Sequence, residues 1–215
     1  MAVLTELLLA RHGQATCNLT GLVGGPRTCT GLTDIGRDQV RCLAERLCGD
    51  SRPTDVLYAA PRQRCHDTGR ILADTLHLPL HIEPGLDGPH HGQADGQPWH
   101  HVKAAFGGPP QARPDLPYAA GAETWNDYLT RATAFLATLP DRHPGQRLLL
   151  ACHGETVHAV HALLLDLPRT PAADAAGFVT DHASLTIWQQ HRNRYGRTLW
   201  MLATHNDTTH LSTHP

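Results

Sequence analysis

The sequence predicts an α/β fold: an open, mostly parallel sheet in three layers, with helices on both faces. Three observations carry that expectation. Short apolar runs alternate with stretches of helical periodicity along most of the chain. The run around Leu148, Leu149 and Leu150 is apolar without alternation, as in a strand buried on both faces. No repeat or linker interrupts the 215 residues, which suits a single domain spanning 1–215.

The elements follow in order. Val3 to Ala10 reads as a short buried strand leading into Arg11-His12-Gly13, and 14–31, rich in Gly, Thr and Cys, as a loop. Thr33 is placed as the N-cap of a helix, with Asp34 in its first turn and Val40, Leu43, Ala44 and Leu47 on one face. Asp55 to Ala60 is a second strand, followed after Pro61 by a helix from about Arg62 to Leu76, and Leu80 to Ile82 is a third strand. Residues 84–121 are dominated by Gly, Pro and His. Only Trp99 to Phe106 has helical character there, and a connection that long is expected to be a lid or substrate loop. A helix over 123–139 carries Trp125, Tyr128, Leu129 and Ala132 on one face. Arg147 to Cys152 is the next strand, feeding His153-Gly154-Glu155 and a helix to about Leu165. Two alternating segments, His182 to Gln189 and Thr198 to Thr204, close the chain as strands joined around 193–196.

Composition excludes several functions. A net charge of -2 gives no electrostatic footprint for nucleic acid or an anionic membrane, and no apolar run is long enough to span a bilayer. Six cysteines without a CxxC pair, and a start lacking a basic n-region, predict a cytoplasmic, reduced protein. Lys103 is the sole lysine, a bias found in GC-rich bacterial genomes, so an anion site here must use Arg, His and backbone N–H groups. Seventeen histidines invite a metal hypothesis, through the pairs His90-His91, His100-His101 and His158/His161. No His-Glu-x-x-His or cysteine-rich spacing supports it, so no metal is expected. Neither nucleotide-binding glycine motif is present, so no cofactor is implied.

The chemistry lies where two strands end alike, as Ala10-Arg11-His12-Gly13 and Cys152-His153-Gly154. Ligands of open α/β sheets sit beyond the carboxyl ends of the strands. If these strands are neighbours, His12 and His153 face one crevice, with Gly13 and Gly154 leaving room for an anion. Arg62 or Arg64, after Pro61, adds a guanidinium to that of Arg11. Two arginines and two histidines around one pocket make a site for a phosphate dianion.

These segments resemble the histidine phosphatase superfamily, also called phosphoglycerate mutase-like. The resemblance rests on Leu9-Ala10-Arg11-His12-Gly13 with Asn18 beyond it, Leu32-Thr33-Asp34-Ile35-Gly36-Arg37-Asp38-Gln39, Ala60-Pro61-Arg62-Gln63-Arg64 with Thr68, Gly121-Ala122-Glu123-Thr124, His153-Gly154, and the tail Asn206 to Leu211. Six segments in order are far more specific than Arg-His-Gly alone. The resemblance implies a phosphomonoesterase acting on a small-molecule phosphate ester. In it His12 becomes phosphohistidine, Arg11, Arg64 (chosen over Arg62) and His153 hold the phosphoryl oxygens, and Asn18 binds the phosphate or substrate edge. His153 would act best protonated and His12 must be neutral, so their pKa values are expected to be pushed apart.

One departure matters. The family's general acid in a Leu-x-Glu segment falls on Gly88 of Leu86-Asp87-Gly88. Asp87 is the nearest substitute, with His90, Glu123 and Glu155 as further candidates. Two alternatives to a phosphatase stay open: a mutase that returns the phosphoryl group to its product, and a weakened member that binds phosphate without turnover. Trp99, Phe106 and Tyr118 are expected to wall the mouth of the crevice.

Overall fold

The computed structural model describes residues 2–169 and 177–212. In chain order its elements are β1 (Ala2–Arg11), α1 (Thr16–Thr20), α2 (Asp34–Cys48), β2 (Val56–Ala59), α3 (Gln63–Leu76), β3 (Leu80–Ile82), α4 (Trp99–Phe106), α5 (Trp125–Leu136), α6 (Leu139–Arg142), β4 (Arg147–Cys152), α7 (Gly154–Leu164), β5 (Leu185–Arg192) and β6 (Thr198–Asp207).

The strands form one six-stranded sheet in the order β3-β2-β4-β1-β5-β6. β3, β2, β4 and β1 are parallel, while β5 and β6 run antiparallel at the far edge. The tight turn between β5 and β6 sets β6 antiparallel to β5: Asn193 N–H donates to the carbonyl of Arg197, and Gly196 takes φ 77°, which a glycine adopts without strain.

The inner strands are buried on both faces because their side chains alternate between two cores. Leu8, Ala10, Leu57, Ala59, Leu149 and Ala151 pack against Val40, Leu43 and Ala44 of α2 and Leu72 of α3. Leu7, Leu9, Leu148, Leu150 and Trp188 pack against Tyr128, Leu129 and Ala132 of α5 and Val157 and Val160 of α7. Truncating a fully buried leucine such as Leu8 to alanine would cost about 2–5 kcal/mol.

Local signals account for the boundaries. Thr33 caps α2, its hydroxyl accepting from Gly36 N–H, and Thr124 caps α5 by accepting from Asp127 N–H. The helix expected over 123–139 is divided into α5 and α6. Pro140 lies in the first turn of α6, where its missing N–H is tolerated, and cannot continue α5. A short helix, α1, interrupts the expected loop 14–31, and β5 starts three residues later than His182 after a turn in which Ser184 N–H donates to Asp181.

The segment 84–121 is not structureless. It holds α4 and three 3-10 turns, and Ala94 and Val102 pack with Val23, Trp99 and Tyr118 into a small core of their own. The loop after α1 is sewn to it: Val23 N–H donates to Gln97, Gly96 N–H to Val23, and Trp99 N–H to Gly21. Asp95 accepts from Gly25 N–H and Arg27 N–H, both at 3.0 Å, and from the Thr28 hydroxyl.

Candidate active site

The register of the parallel strands assembles the site. Leu9 pairs with Leu150 and Arg11 with Cys152, and His12 N–H donates to Cys152 at 2.9 Å. His12 and His153 therefore leave the sheet side by side, with ring centroids 5.6 Å apart. On the other side of β4, Ala60 N–H donates to Ala151, which delivers Pro61 and the start of α3 to the same end.

Arg64 bridges the two histidines. Its Nε donates to His12 Nε2 at 3.0 Å and one terminal nitrogen donates to His153 Nδ1 at 3.2 Å. The other donates to the Gly24 carbonyl at 2.7 Å and to Cys29 Sγ at 3.4 Å. An arginine only donates, so these contacts fix both tautomers. His12 carries its proton on Nδ1, donated to the Gly13 carbonyl at 2.8 Å, which leaves the Nε2 lone pair facing the site. His153 carries its proton on Nε2, 3.8 Å from Asp87 Oδ1.

Arg11 donates to the Thr180 carbonyl and to His182 Nε2, the latter at 3.3 Å, while its buried Nε meets no acceptor among the described residues. Asn18 lines the same cavity as Arg11; its Oδ1 accepts from Ala15 N–H at 3.0 Å, so its amide nitrogen is left to meet a ligand.

Electrostatics correct one expectation. The pKa values of His12 and His153 are not pushed apart: both are driven well below the ordinary histidine value, first by burial and then by the surrounding arginines. Arg64 and Arg11 act on both rings, so in the free protein both are neutral.

The role of Gly13 also differs from the sequence reading. A Cβ there would stand 2.3 Å from the Gly36 carbonyl oxygen, so this glycine is required by the close approach of α2, and the room it leaves is taken by that helix. At Gly154 a Cβ would face Arg11 Nε at 3.6 Å.

At Gly88, a Cβ would meet His153 and a terminal nitrogen of Arg62, both at 3.2 Å. The position expected for the acid thus adjoins the site, but Arg62 fills the space behind it. Arg62, with a side chain 1% exposed, pairs with Asp87 at 2.8 Å and donates to His91 Nε2 at 3.0 Å and to the Pro89 carbonyl at 2.5 Å. Asp87 is therefore held by Arg62 beneath His153. His90 is exposed, 4.0 Å from Asp87, and Glu123 is gripped by both edges of Arg131 at 2.9 and 3.0 Å. Glu155 lines the cavity in the first turn of α7.

That cavity, about 250 Å³, is walled by Trp99, Tyr118, Trp125, Lys103, Pro109 and Gln111. Phe106 is not part of the wall; it is buried behind Tyr118 at 6.2 Å. Sequence reasoning missed His182, whose ring lies 5.9 Å from His12, and the pair His91–Tyr118, with 2.5 Å between Nδ1 and the hydroxyl. Neither stands in a motif; each is brought in by tertiary folding of a loop. The histidine pairs weighed for metal go elsewhere: the His100 and His101 rings meet tilted, with centroids 4.1 Å apart, and His161 accepts from the Trp188 indole at 3.2 Å. Among the described residues no group of three His, Cys, Asp or Glu is arranged to hold a metal ion, and no helix is long and apolar enough to cross a membrane.

A mostly parallel α/β sheet with two buried histidines and a guanidinium cluster beyond the carboxyl edge of its parallel strands defines the class: an α/β protein with a site suited to a phosphoryl group. The chain matches the histidine phosphatase superfamily (branch 1) over residues 7–206, and it belongs to that family. It is 28% identical over 213 residues to a metal-independent phosphoserine phosphatase of Arabidopsis thaliana, covering 97% of this chain and 84% of that protein. It is 27% identical over 167 residues to a 2,3-bisphosphoglycerate-dependent phosphoglycerate mutase of a Methylobacterium species, covering 74% and 79% of the two chains. The fold superposes on a mycobacterial glucosyl-3-phosphoglycerate phosphatase solved with VO3, with a TM-score of 0.76, 23% identity, and 94% and 98% of the chains covered.

Proposed function

We propose that the protein is a phosphomonoesterase that transfers a phosphoryl group from a small-molecule ester to Nε2 of His12 and then to water. The observation that carries this reading is the His12 lone pair. Gly13 fixes the tautomer from behind, and Arg64, Arg11 and His153 surround the place where phosphorus would sit. In-line attack by Nε2 spreads charge over the three phosphoryl oxygens, and fixed cations aimed at those oxygens are where phosphoryl transfer gains most. Arg64 would exchange its hydrogen bond to Nε2 for one to a phosphoryl oxygen, freeing the lone pair as substrate arrives. Asp87 would hold His153 through its Nε2 proton. A cytosolic location fits the six free cysteines.

Phosphoserine heads the substrate panel. The relative named for it supports that choice, as does a cavity presenting both signs of charge, Lys103 and Arg11 against Glu123 and Glu155. Mutase chemistry is the second reading, supported by the relative of that name. Hydrolysis of p-nitrophenyl phosphate, phosphoserine and 3-phosphoglycerate is measured from pH 4 to 9 for the parent and His12→Ala. Turnover that disappears in His12→Ala is the expected result. Turnover that survives it sinks the phosphohistidine mechanism, and a requirement for a bisphosphorylated cofactor would favour the mutase.

A further inference from the structure

Of the carboxylates around the cavity, Glu155 is the one without a cation at contact distance. Asp87 is held by Arg62, Glu123 by Arg131 and Asp95 by Arg27, whereas Glu155 has no ion-pair partner among the described residues. It stands one residue beyond Gly154, whose α-carbon faces the acceptor-free Nε of Arg11. An anion taken up by that N–H and by the first N–H groups of α7 would occupy the cavity that Arg11 and Glu155 both line.

A phosphate dianion and a carboxylate in one buried cavity raise each other's pKa, which favours one proton held between them, as in paired carboxylates. Resting on the phosphatase reading above, we propose that Glu155 and the bound phosphate share one proton, and that Glu155 delivers it to the leaving oxygen. This assigns the acid that Gly88 does not supply.

In the first step the bond from His12 Nε2 to phosphorus forms, the ester P–O bond breaks, and the Glu155 proton passes to the departing oxygen. In the second, water attacks phosphorus, the N–P bond breaks, and a proton of that water returns to Glu155. The proton enters with the substrate, because a phosphate monoester loses its second proton near pH ~6. In the free protein Glu155 is a carboxylate: burial opposes ionisation, but its own backbone N–H, Arg64 and Arg11 outweigh it.

The groups facing Glu155 are Arg11 from β1, Arg64 from α3, His91 and Tyr118 from the 84–121 segment, Tyr128 from α5, Cys152 from β4 and His158 on α7 itself. Burial pushes His91 down to about 4 and His158 below the ordinary histidine value, and it raises both tyrosines and Cys152, so in each case it favours the neutral form. His12 and His153 are the competing proton acceptors once phosphate is bound, and the variant below separates them from Glu155.

Inorganic phosphate is titrated calorimetrically into the parent and Glu155→Gln between pH 5.5 and 8.5, in buffers of different ionisation enthalpy. Affinity of the parent is expected to fall about tenfold per unit above pH ~7 with uptake of one proton, whereas Glu155→Gln binds at least as tightly without that uptake. Turnover of phosphoserine should drop about 10²–10⁴-fold in Glu155→Gln, and that of p-nitrophenyl phosphate, whose leaving group needs little protonation, far less. Proton uptake that persists in Glu155→Gln overturns the proposal and assigns the proton to His12 or His153, and equal losses on both substrates overturn Glu155 as the acid. Glu155→Ser, checked by melting temperature, repeats the binding arm if the first variant is unstable. Failure of the phosphatase reading would show separately, as p-nitrophenyl phosphate turnover that survives in His12→Ala.

Discussion

Arg64 Nε donates to His12 Nε2 at 3.0 Å, so the cation that would stabilise the transferring phosphoryl group also guards the lone pair that would attack it. The same guanidinium reaches His153 at 3.2 Å, which makes Arg64 the geometric centre of the site. A lysine there would supply one charge but not three directed N–H groups. Arg64→Lys is therefore expected to lower kcat for phosphoserine about 10²–10³-fold while the melting temperature changes little. A variant retaining more than a tenth of the parent's kcat would show that the bridge is dispensable.

Arg62 acts behind the site. It ties Asp87, Pro89 and His91 into one buried cluster, and removing it leaves Asp87 without its partner. Arg62→Ala should destabilise the protein by about 3–5 kcal/mol in denaturant unfolding, the usual cost of orphaning half of a buried pair. A loss below 1 kcal/mol would mean that the 87–91 loop is held by other contacts.

Gly13 is fixed by sterics. With the Gly36 carbonyl 2.3 Å from any Cβ, Gly13→Ala must push α2 away or distort the backbone beside His12. We expect a cost of about 3 kcal/mol or more, with activity falling as well. Wild-type stability in this variant would contradict the close packing of the two glycines.

Acid should weaken the fold. His91, His161 and His182 are pushed down to about 4, and His12 and His153 also lie well below the ordinary value, each chiefly by burial. A histidine with a depressed folded pKa binds its proton more readily unfolded, so its contribution is intact above pH ~6.5 and is lost as pH falls toward 4. Melting temperature is expected to decline steadily from pH 7 to pH 4.5. Phosphate should offset part of the decline, since its charge favours protonated His12 and His153. A flat profile would contradict neutral, buried histidines.

Much of the candidate site could be read along the chain because each motif doubles as a local structural signal. Thr33 is both motif residue and helix cap. Gln39 accepts from the Gln14 N–H at 2.9 Å, and Thr68 accepts from Gly13 N–H, so the spacing of these residues is the spacing that pins the loop after His12. Strand ends could be read for the same reason: an apolar run that stops at a polar residue and glycine marks where the sheet meets solvent.

The sequence by itself determined the α/β architecture and that His12 and His153 each end a strand, because hydrophobic period and strand-end chemistry are local properties; that β1 and β4 are neighbours, which brings the two rings together, is decided by the tertiary pairing. Only the tertiary structure decided which carboxylate remains unpaired, since Asp87, Glu123 and Glu155 differ by the arginines that fold against them, not by anything beside them in the chain. It likewise decided that both site histidines are neutral, because burial and the field of Arg64 and Arg11, joined at His153 by Arg62, arise only when distant segments converge on one point.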